Sequence, residues 1–322
     1  MQALQVFETN VAPEFFTIDR PIVRPGTILV QIEACGLNFA DLLLIKGTYQ
    51  ETPSLPFTLG MELAGKVVAI GEGVSEHKVG SKVAVYSGKG GLAEYGVFPA
   101  NRCIRIPDGL SMIDAAGFQI AYGTSHLALE YKAQLKYGET LLVLGASGGV
   151  GLTAVELGKL MKARVVAVVR GSEKLGVAQK AGADHVIDAQ TGNLRTQVKE
   201  MGGADVVYDP VGGDQFKDAF RACNPDGRIL VIGFASGKLP EIPPNHLMVK
   251  NISVQGFNWG GYLKFNPDAL NNSLRKLMIW HGQGKLNPHI SHVLPFEHAK
   301  EGLELLRNRK STGKIVVKIH QT

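Results

Sequence analysis

Two rhythms of apolar and polar positions divide the chain. From Met1 to about Ala121 the apolar residues come in short runs parted by Gly and Pro. Residues 27–34 (TILVQIEA) alternate, Glu62–Ile70 (ELAGKVVAI) is apolar and β-branched, and Lys82–Tyr86 and residues 92–98 continue in the same manner. Such runs with frequent breakers predict short strands in a mostly β region. Two helices are expected within it: Phe39–Lys46, opening at Asn38 and stopped by Gly47, and residues 111–131, with a break near Gly117 or Gly123. From about Tyr122 to Trp259 the rhythm changes. Apolar strand-like runs at 140–144, 164–169, 185–187, 205–208, 228–232 and 252–256 alternate with helical patterns. That alternation predicts a parallel sheet covered on both faces. Further on, residues 267–281 read as a helix with Leu270, Leu274, Leu277 and Met278 on one face. A strand at 289–294, a helix at 296–307 and a strand at 314–319 follow.

The sharpest local signal lies where the second rhythm begins. Leu141-Leu142-Val143-Leu144 runs into Gly145-Ala146-Ser147-Gly148-Gly149-Val150-Gly151, then into an amphipathic stretch at 152–161 and a second apolar run, Arg164–Val169. Strand, glycine turn, helix and strand form the context of a dinucleotide fingerprint. Glycine lets the backbone turn sharply and approach a pyrophosphate, and the helix N-terminus offers unpaired N–H groups to that anion. The spacing is Ala146-x-Gly148-x-x-Gly151, with alanine in the first glycine slot. Ligands of such sheets bind outside the carboxyl ends of the strands. That rule nominates the loops 209–213 (DPVGG), 233–237 (GFASG) and 257–261 (FNWGG). The second strand ends in Arg170, followed by Ser172 and Lys174, where NAD-binding chains usually carry an acid. Two cations and a hydroxyl suit a 2′-phosphate. Glu173 opposes that pattern unless the helix start turns it to another side. NADPH is the expected cofactor.

Composition narrows the remaining classes. The length of 322 residues suits two domains. The net charge of +5 is spread along the chain, with no basic block interleaved with aromatics, so no nucleic-acid partner is expected. Cys35, Cys103 and Cys223 are far apart and in no CxxC pair, which argues against a disulfide framework or a cysteine-rich zinc site and suits a reducing compartment. The first residues lack the basic and apolar regions of a signal peptide, and no apolar run would span a bilayer. A cytoplasmic location without membrane contact is expected. The nine histidines show no metal-site spacing.

Three motifs in order carry a resemblance over essentially the whole chain. Cys35-Gly36-Leu37-Asn38-Phe39-Ala40-Asp41, then Leu59-Gly60-Met61-Glu62-Leu63-Ala64-Gly65, then the glycine turn resemble the medium-chain dehydrogenase/reductase superfamily. In its zinc alcohol dehydrogenases, cysteine and histidine occupy the slots of Asn38 and Met61, and an amide and a thioether are poor substitutes on Zn²⁺. The lobe of four cysteines that holds a structural zinc in those relatives is missing as well. The chain is therefore similar to the zinc-free branch, the quinone oxidoreductases of the zeta-crystallin type, and no metal is expected.

The resemblance implies an α/β fold: a Rossmann doubly wound parallel sheet, at 122–261, plus a mostly β GroES-like substrate domain made of 1–121 and 262–322. It implies a catalytic group of Asn38, Asp41 and Tyr49 beside the nicotinamide. On their own residue types, Asn38 is also a good N-cap, Asp41 suits a first helical turn, and Tyr49 could be a turn aromatic under Pro53 and Pro56. The cofactor is expected on Asn38, Thr124, Ser147, Gly148, Gly149, Val150, Arg170, Ser172, Lys174, Gly233, Phe234, Phe257, Asn258 and Trp259. Arg309 aligns with a family arginine that can reach the adenosine phosphate. The usual tyrosine partner of that phosphate is replaced by Asp188-Ala189. The expected activity is metal-free hydride transfer from NADPH, bound between the domains, to a quinone or a similar conjugated carbonyl. Reduction of an enone, enal or enoyl thioester is the alternative on the same fold, and an NADPH-binding structural or regulatory protein is the alternative of another class. The edge run at 252–256 suggests a homodimer.

Overall fold

Six runs from the middle of the chain become adjacent parallel strands, and the innermost of them are apolar on both faces. In the computed structural model, which describes residues 1–320, they are β1 (Thr140–Val143), β2 (Arg164–Val169), β3 (His185–Asp188), β4 (Ala204–Asp209), β5 (Cys223–Val231) and β6 (Ser253–Gly256). Every residue of β1 is buried, as is all of β2 except Arg164. The spatial order is β3-β2-β1-β4-β5-β6, with all pairs parallel. The order therefore reverses between β1 and β4, and a crevice opens at such a point outside the strand ends. Leu142, Val166, Val168, Val207 and Ile229 pack with Phe216 and Phe220 of the helix Gly213–Ala222. Each such side chain removed from water contributes about 1.5–3 kcal/mol.

The chain divides into two compact units: Met1–Ile120 with the segment from Pro288 onward, and Ala121–Asn287. The expected return to the first unit at residue 262 falls instead at Pro288. The reason is the helix Pro267–Gly282. Its Ser273 hydroxyl meets His126 Nδ1 at 2.8 Å, Lys276 pairs with Glu130, and Trp280 lies edge-on to His126. That helix belongs with residues 121–132 rather than with the β domain.

In the first unit the strand Thr27–Leu37 is the axis of a seven-stranded sheet. One side pairs with Glu62–Ile70. The other is shared by two strands, Tyr95–Pro99 along its first half and Lys314–Lys318 along its second. Ile315 stands opposite Leu37, so the late strand delivers Lys314 to the place where Thr27–Leu37 ends. A helix then starts at Phe39 and stops at Gly47, whose φ is 68°. The strand expected at 92–98 begins only at Tyr95. The helix expected at 111–131 is broken at Gly117, where an added Cβ would press on Lys314 and Val316 at 3.4 Å, and its stretch Leu127–Lys132 is wound more widely. Among the described residues no helix is long and apolar enough to cross a membrane.

Candidate active site

The glycine turn of the second unit divides its glycines by task. Gly145 has φ 58° and lies so close to Val211 that a Cβ would be 2.9 Å from it, so the loops after β1 and β4 touch. Ala146 is wholly buried, and its N–H donates to Val168 O at 2.9 Å. The core accepts that methyl, which explains alanine in the first glycine slot. A Cβ on Gly151 would fall 2.2 Å from Gly145 O, so the third slot admits only glycine. Gly148 is different: its Cβ would meet Gly145 O at 3.4 Å and nothing closer, which leaves the outward face open. Gly148 caps the helix Gly149–Leu160, whose first turn offers N–H groups beyond the intrahelical ladder. Behind the turn, Ser125 donates to Val150 O at 2.7 Å and meets Thr153 Oγ1 at 2.8 Å and Tyr208 OH at 3.0 Å. Thr124, beside them in sequence, and Ser147 are buried.

The loop after β4 adds a carboxylate. Asp209 Oδ1 accepts N–H bonds from Val211 at 2.7 Å and Gly212 at 2.9 Å, while Oδ2 is buried with no partner among the described residues. Burial pushes this carboxyl up to about 6. Of the aromatics expected at this end, Phe234 is exposed, whereas Phe257 and Trp259 are buried. The Trp259 indole covers Gly123, where a Cβ would be 2.7 Å away. Gly233 is partly buried and Asn258 is exposed.

After β2, Arg170 and Ser172 are exposed and Lys174 is partly so. The Glu173 carboxylate folds back over Gly171, where a Cβ would be 2.4 Å from both oxygens. Asp188, at the end of β3, accepts N–H bonds from Gln190 and Gly171 at 3.0 Å each, and these hold its carboxyl below the usual range. The turn is thus mixed in charge. Arg309 lies in the first unit, exposed beyond the helix Ala299–Arg307, with φ 55°.

The first unit holds the other polar group. Asp41 is fully buried and accepts from Asn38 N at 2.8 Å and Gly60 N at 3.3 Å. Burial pushes its carboxyl up to about 7. The Asp41 N–H goes to the backbone oxygen of Asn38, so the Asn38 side chain is left for other partners. It finds Lys314 and Glu62, neither of them among the site residues expected from sequence. Tyr49 is half-buried against the core, its phenol pushed up by burial and then by the carboxylates Glu51 and Asp41. Tyr86 stands opposite Glu62 in register, and its phenol is raised by burial and then by Tyr49. Met61 is buried, and its carbonyl holds the N–H groups of Ser87 and Gly88 at 3.0 Å. Among the described residues no three of His, Cys, Asp and Glu gather as metal ligands. A partial signal for the missed pair was present: a glutamate and a lysine, each opening an apolar strand, must find partners if both are buried.

Known proteins resemble this chain over most of its length. Residues 24–108 match the alcohol dehydrogenase GroES-like domain, and residues 149–276 match the zinc-binding dehydrogenase family. A quinone oxidoreductase-like protein 2 homolog of Nematostella vectensis is 40% identical over 300 residues, covering 91% of this chain and 82% of that one. The quinone oxidoreductase of Thermus thermophilus, solved also in complex with NADPH, superimposes with a TM-score of 0.89 at 32% identity, over 99% of this chain and 100% of that one. The Escherichia coli quinone oxidoreductase complexed with NADPH gives 0.93 at 25% identity, over 99% and 100%.

Proposed function

Since the chain belongs to the zinc-free quinone oxidoreductase branch of the medium-chain dehydrogenase/reductase superfamily, and is an oxidoreductase that works with a nicotinamide cofactor, we propose that it reduces a quinone or similar electron-poor conjugated carbonyl with NADPH, without a metal. The observation that carries this is the open Gly148 face at the point where the strand order reverses. A pyrophosphate there meets the first N–H groups of the helix Gly149–Leu160, with Ser147, Gly149 and Val150 around it. Thr124, Gly233, Phe234 and the backbone of 257–259 serve the rest of the dinucleotide. Arg170, Ser172 and Lys174 take the 2′-phosphate, with Arg309 as a further cation.

The bound nicotinamide supplies the hydride. The protein orients it and handles the proton. Asn38 orients, Tyr49 donates to the oxygen that gains charge, and Asp41, held up at about 7, orders the group around them. An amide and a thioether at 38 and 61 make a weak donor set for zinc, so a conjugated acceptor, which needs only modest oxyanion help, suits the site better than a simple ketone. NADPH oxidation against quinones, enals and enoyl thioesters, with and without a chelator, tests this. Turnover of quinones unaffected by chelation is expected. Cofactor binding with no turnover of any acceptor, or activity lost with removal of a stoichiometric metal, would refute it.

A further inference from the structure

Lys314 and Glu62 form an ion pair where an ion pair is costly. Lys314 is 7% exposed and Glu62 not at all, with Nζ and Oε1 2.7 Å apart. Taking two such charges out of water costs several kcal/mol each, and an apolar pair of similar volume is often as stable or more so. The pair therefore invites a reason other than stability, and its hydrogen bonds supply one.

Every donor in the group is used. The lysine ammonium has three N–H groups, and they go to Leu37 O at 2.8 Å, Asn38 Oδ1 at 2.7 Å and Glu62 Oε1 at 2.7 Å. Glu62 Oε1 also accepts from Asn38 Nδ2 at 3.1 Å, and Oε2 accepts from Ile120 N at 2.9 Å. Asn38 Nδ2 reaches Gly36 O at 3.2 Å as well. Close approach of this chain segment depends on Gly36, where a Cβ would fall 2.3 Å from Ala116 O and 3.1 Å from Glu62 Oε1.

This closed triangle decides which way the amide faces. Turned over, Asn38 would set its NH₂ against the ammonium and its oxygen against the carboxylate, two repulsions in a buried place. In the orientation found, both amide hydrogens are spent inside the triangle. Oδ1 can accept two bonds and gives one place to Lys314. Asn38 is only half-buried, so the remaining lone pair is what it offers to a ligand.

We propose that Lys314 and Glu62 are positioning residues that lock the Asn38 amide as an acceptor, so that Asn38 takes the carboxamide N–H of the nicotinamide and does not donate to the carbonyl of the substrate. This rests on the reading of the protein as a nicotinamide-dependent reductase. The hydrogen bond to the substrate oxygen then falls to another group, of which Tyr49 is the candidate already given.

Binding without turnover tests it. The oxidised cofactor NADP⁺ is compared with its 3-acetylpyridine analogue, which keeps the ring carbonyl and replaces the NH₂ by a methyl group. Dissociation constants are measured by calorimetry for the native protein and for Asn38→Ala, Asn38→Asp, Lys314→Met and Glu62→Gln. The native protein is expected to prefer NADP⁺ by about three- to tenfold, the value of one hydrogen bond. The preference should fall toward one in Asn38→Ala, and fall in part in Lys314→Met and Glu62→Gln, where Asn38 keeps only some of the partners that orient it. Asn38→Asp keeps the acceptor and should keep the preference; its loss there would overturn the proposal. So would a native protein that binds both dinucleotides equally, or variants that all retain the native ratio. If Lys314→Met does not fold, judged by thermal melting, Glu62→Gln and the two Asn38 variants still decide. Failure of the native protein to bind either dinucleotide would instead remove the nicotinamide reading on which the proposal stands.

Discussion

At the scale of the residue, burial and partners set what each group can do. Asp41 is held up at about 7 by burial, against about 3.9 in an unfolded chain. Between those values the folded protein keeps a proton that the unfolded chain has released. The stability from this group is therefore full below about pH 4 and is lost as pH rises through about 7. Melting temperatures from pH 4 to 7.5 should fall more steeply for the native protein than for Asp41→Asn; parallel curves would refute the assignment. A second residue-scale expectation concerns the turn after β2. Losing a shielded contact to a charged group costs about 1.5–3 kcal/mol, a roughly tenfold to hundredfold change in affinity. Arg170→Ala with Lys174→Ala should weaken NADPH by that factor and leave NADH nearly unmoved. Calorimetry with both cofactors checks it, and an unchanged ratio rules out the phosphate role, as does equal weakening of both. The residue types that make this argument were legible in the sequence. The return of the Glu173 carboxylate over Gly171 was not, because spacing along a helix start does not say where a flexible side chain folds. For the same reason Asn38 was legible as a candidate while its partner Lys314, 276 positions away, was not.

At the scale of the element, the glycine turn makes a sharper forecast than its motif. The sequence pattern treats Gly148 and Gly151 alike. The structure separates them: a methyl on Gly151 would strike Gly145 O at 2.2 Å, whereas one on Gly148 would meet that same oxygen at 3.4 Å. Gly151→Ala should therefore unfold or loosen the second unit, read as a lowered melting temperature. Gly148→Ala should melt almost as the native protein does and yet bind NADPH at least tenfold more weakly, because the methyl occupies the face left for the pyrophosphate. Equal melting of the two variants, or unimpaired binding by Gly148→Ala, would count against this division. Periodicity placed the strands of the parallel sheet to within a few residues, since runs buried on both faces leave little choice of register. It failed where tertiary packing overrides a local pattern, as in the helix broken at Gly117 under Lys314.

At the scale of the whole molecule, β6 ends the parallel sheet and leaves an edge. The helix Pro244–Lys250, which precedes it in the chain, exposes Met248 at 74% and Val249 at 75%. An open edge and exposed apolar side chains favour a partner, and a second copy of the chain is the expected one. Light scattering at micromolar concentration should give the mass of two chains, and Val249→Asp should lower it; a native protein with the mass of one chain would end this expectation. The sequence announced both folding patterns but misplaced the boundary between units, because the helix Pro267–Gly282 is amphipathic wherever it packs and its partner is named only by contacts such as Ser273 with His126. The strand Lys314–Lys318 completes a sheet begun at Thr27–Leu37, with the entire second unit between them in the chain. This ordering has a consequence for the growing polypeptide. The second unit is complete in the chain before the strand Lys314–Lys318 is made, so the first unit waits for one of its strands, and with it for the lysine bonded to Asn38. On the reading proposed above, a nascent chain stalled just short of Lys314 would have all the residues expected around the pyrophosphate but not yet the full set of partners of Asn38.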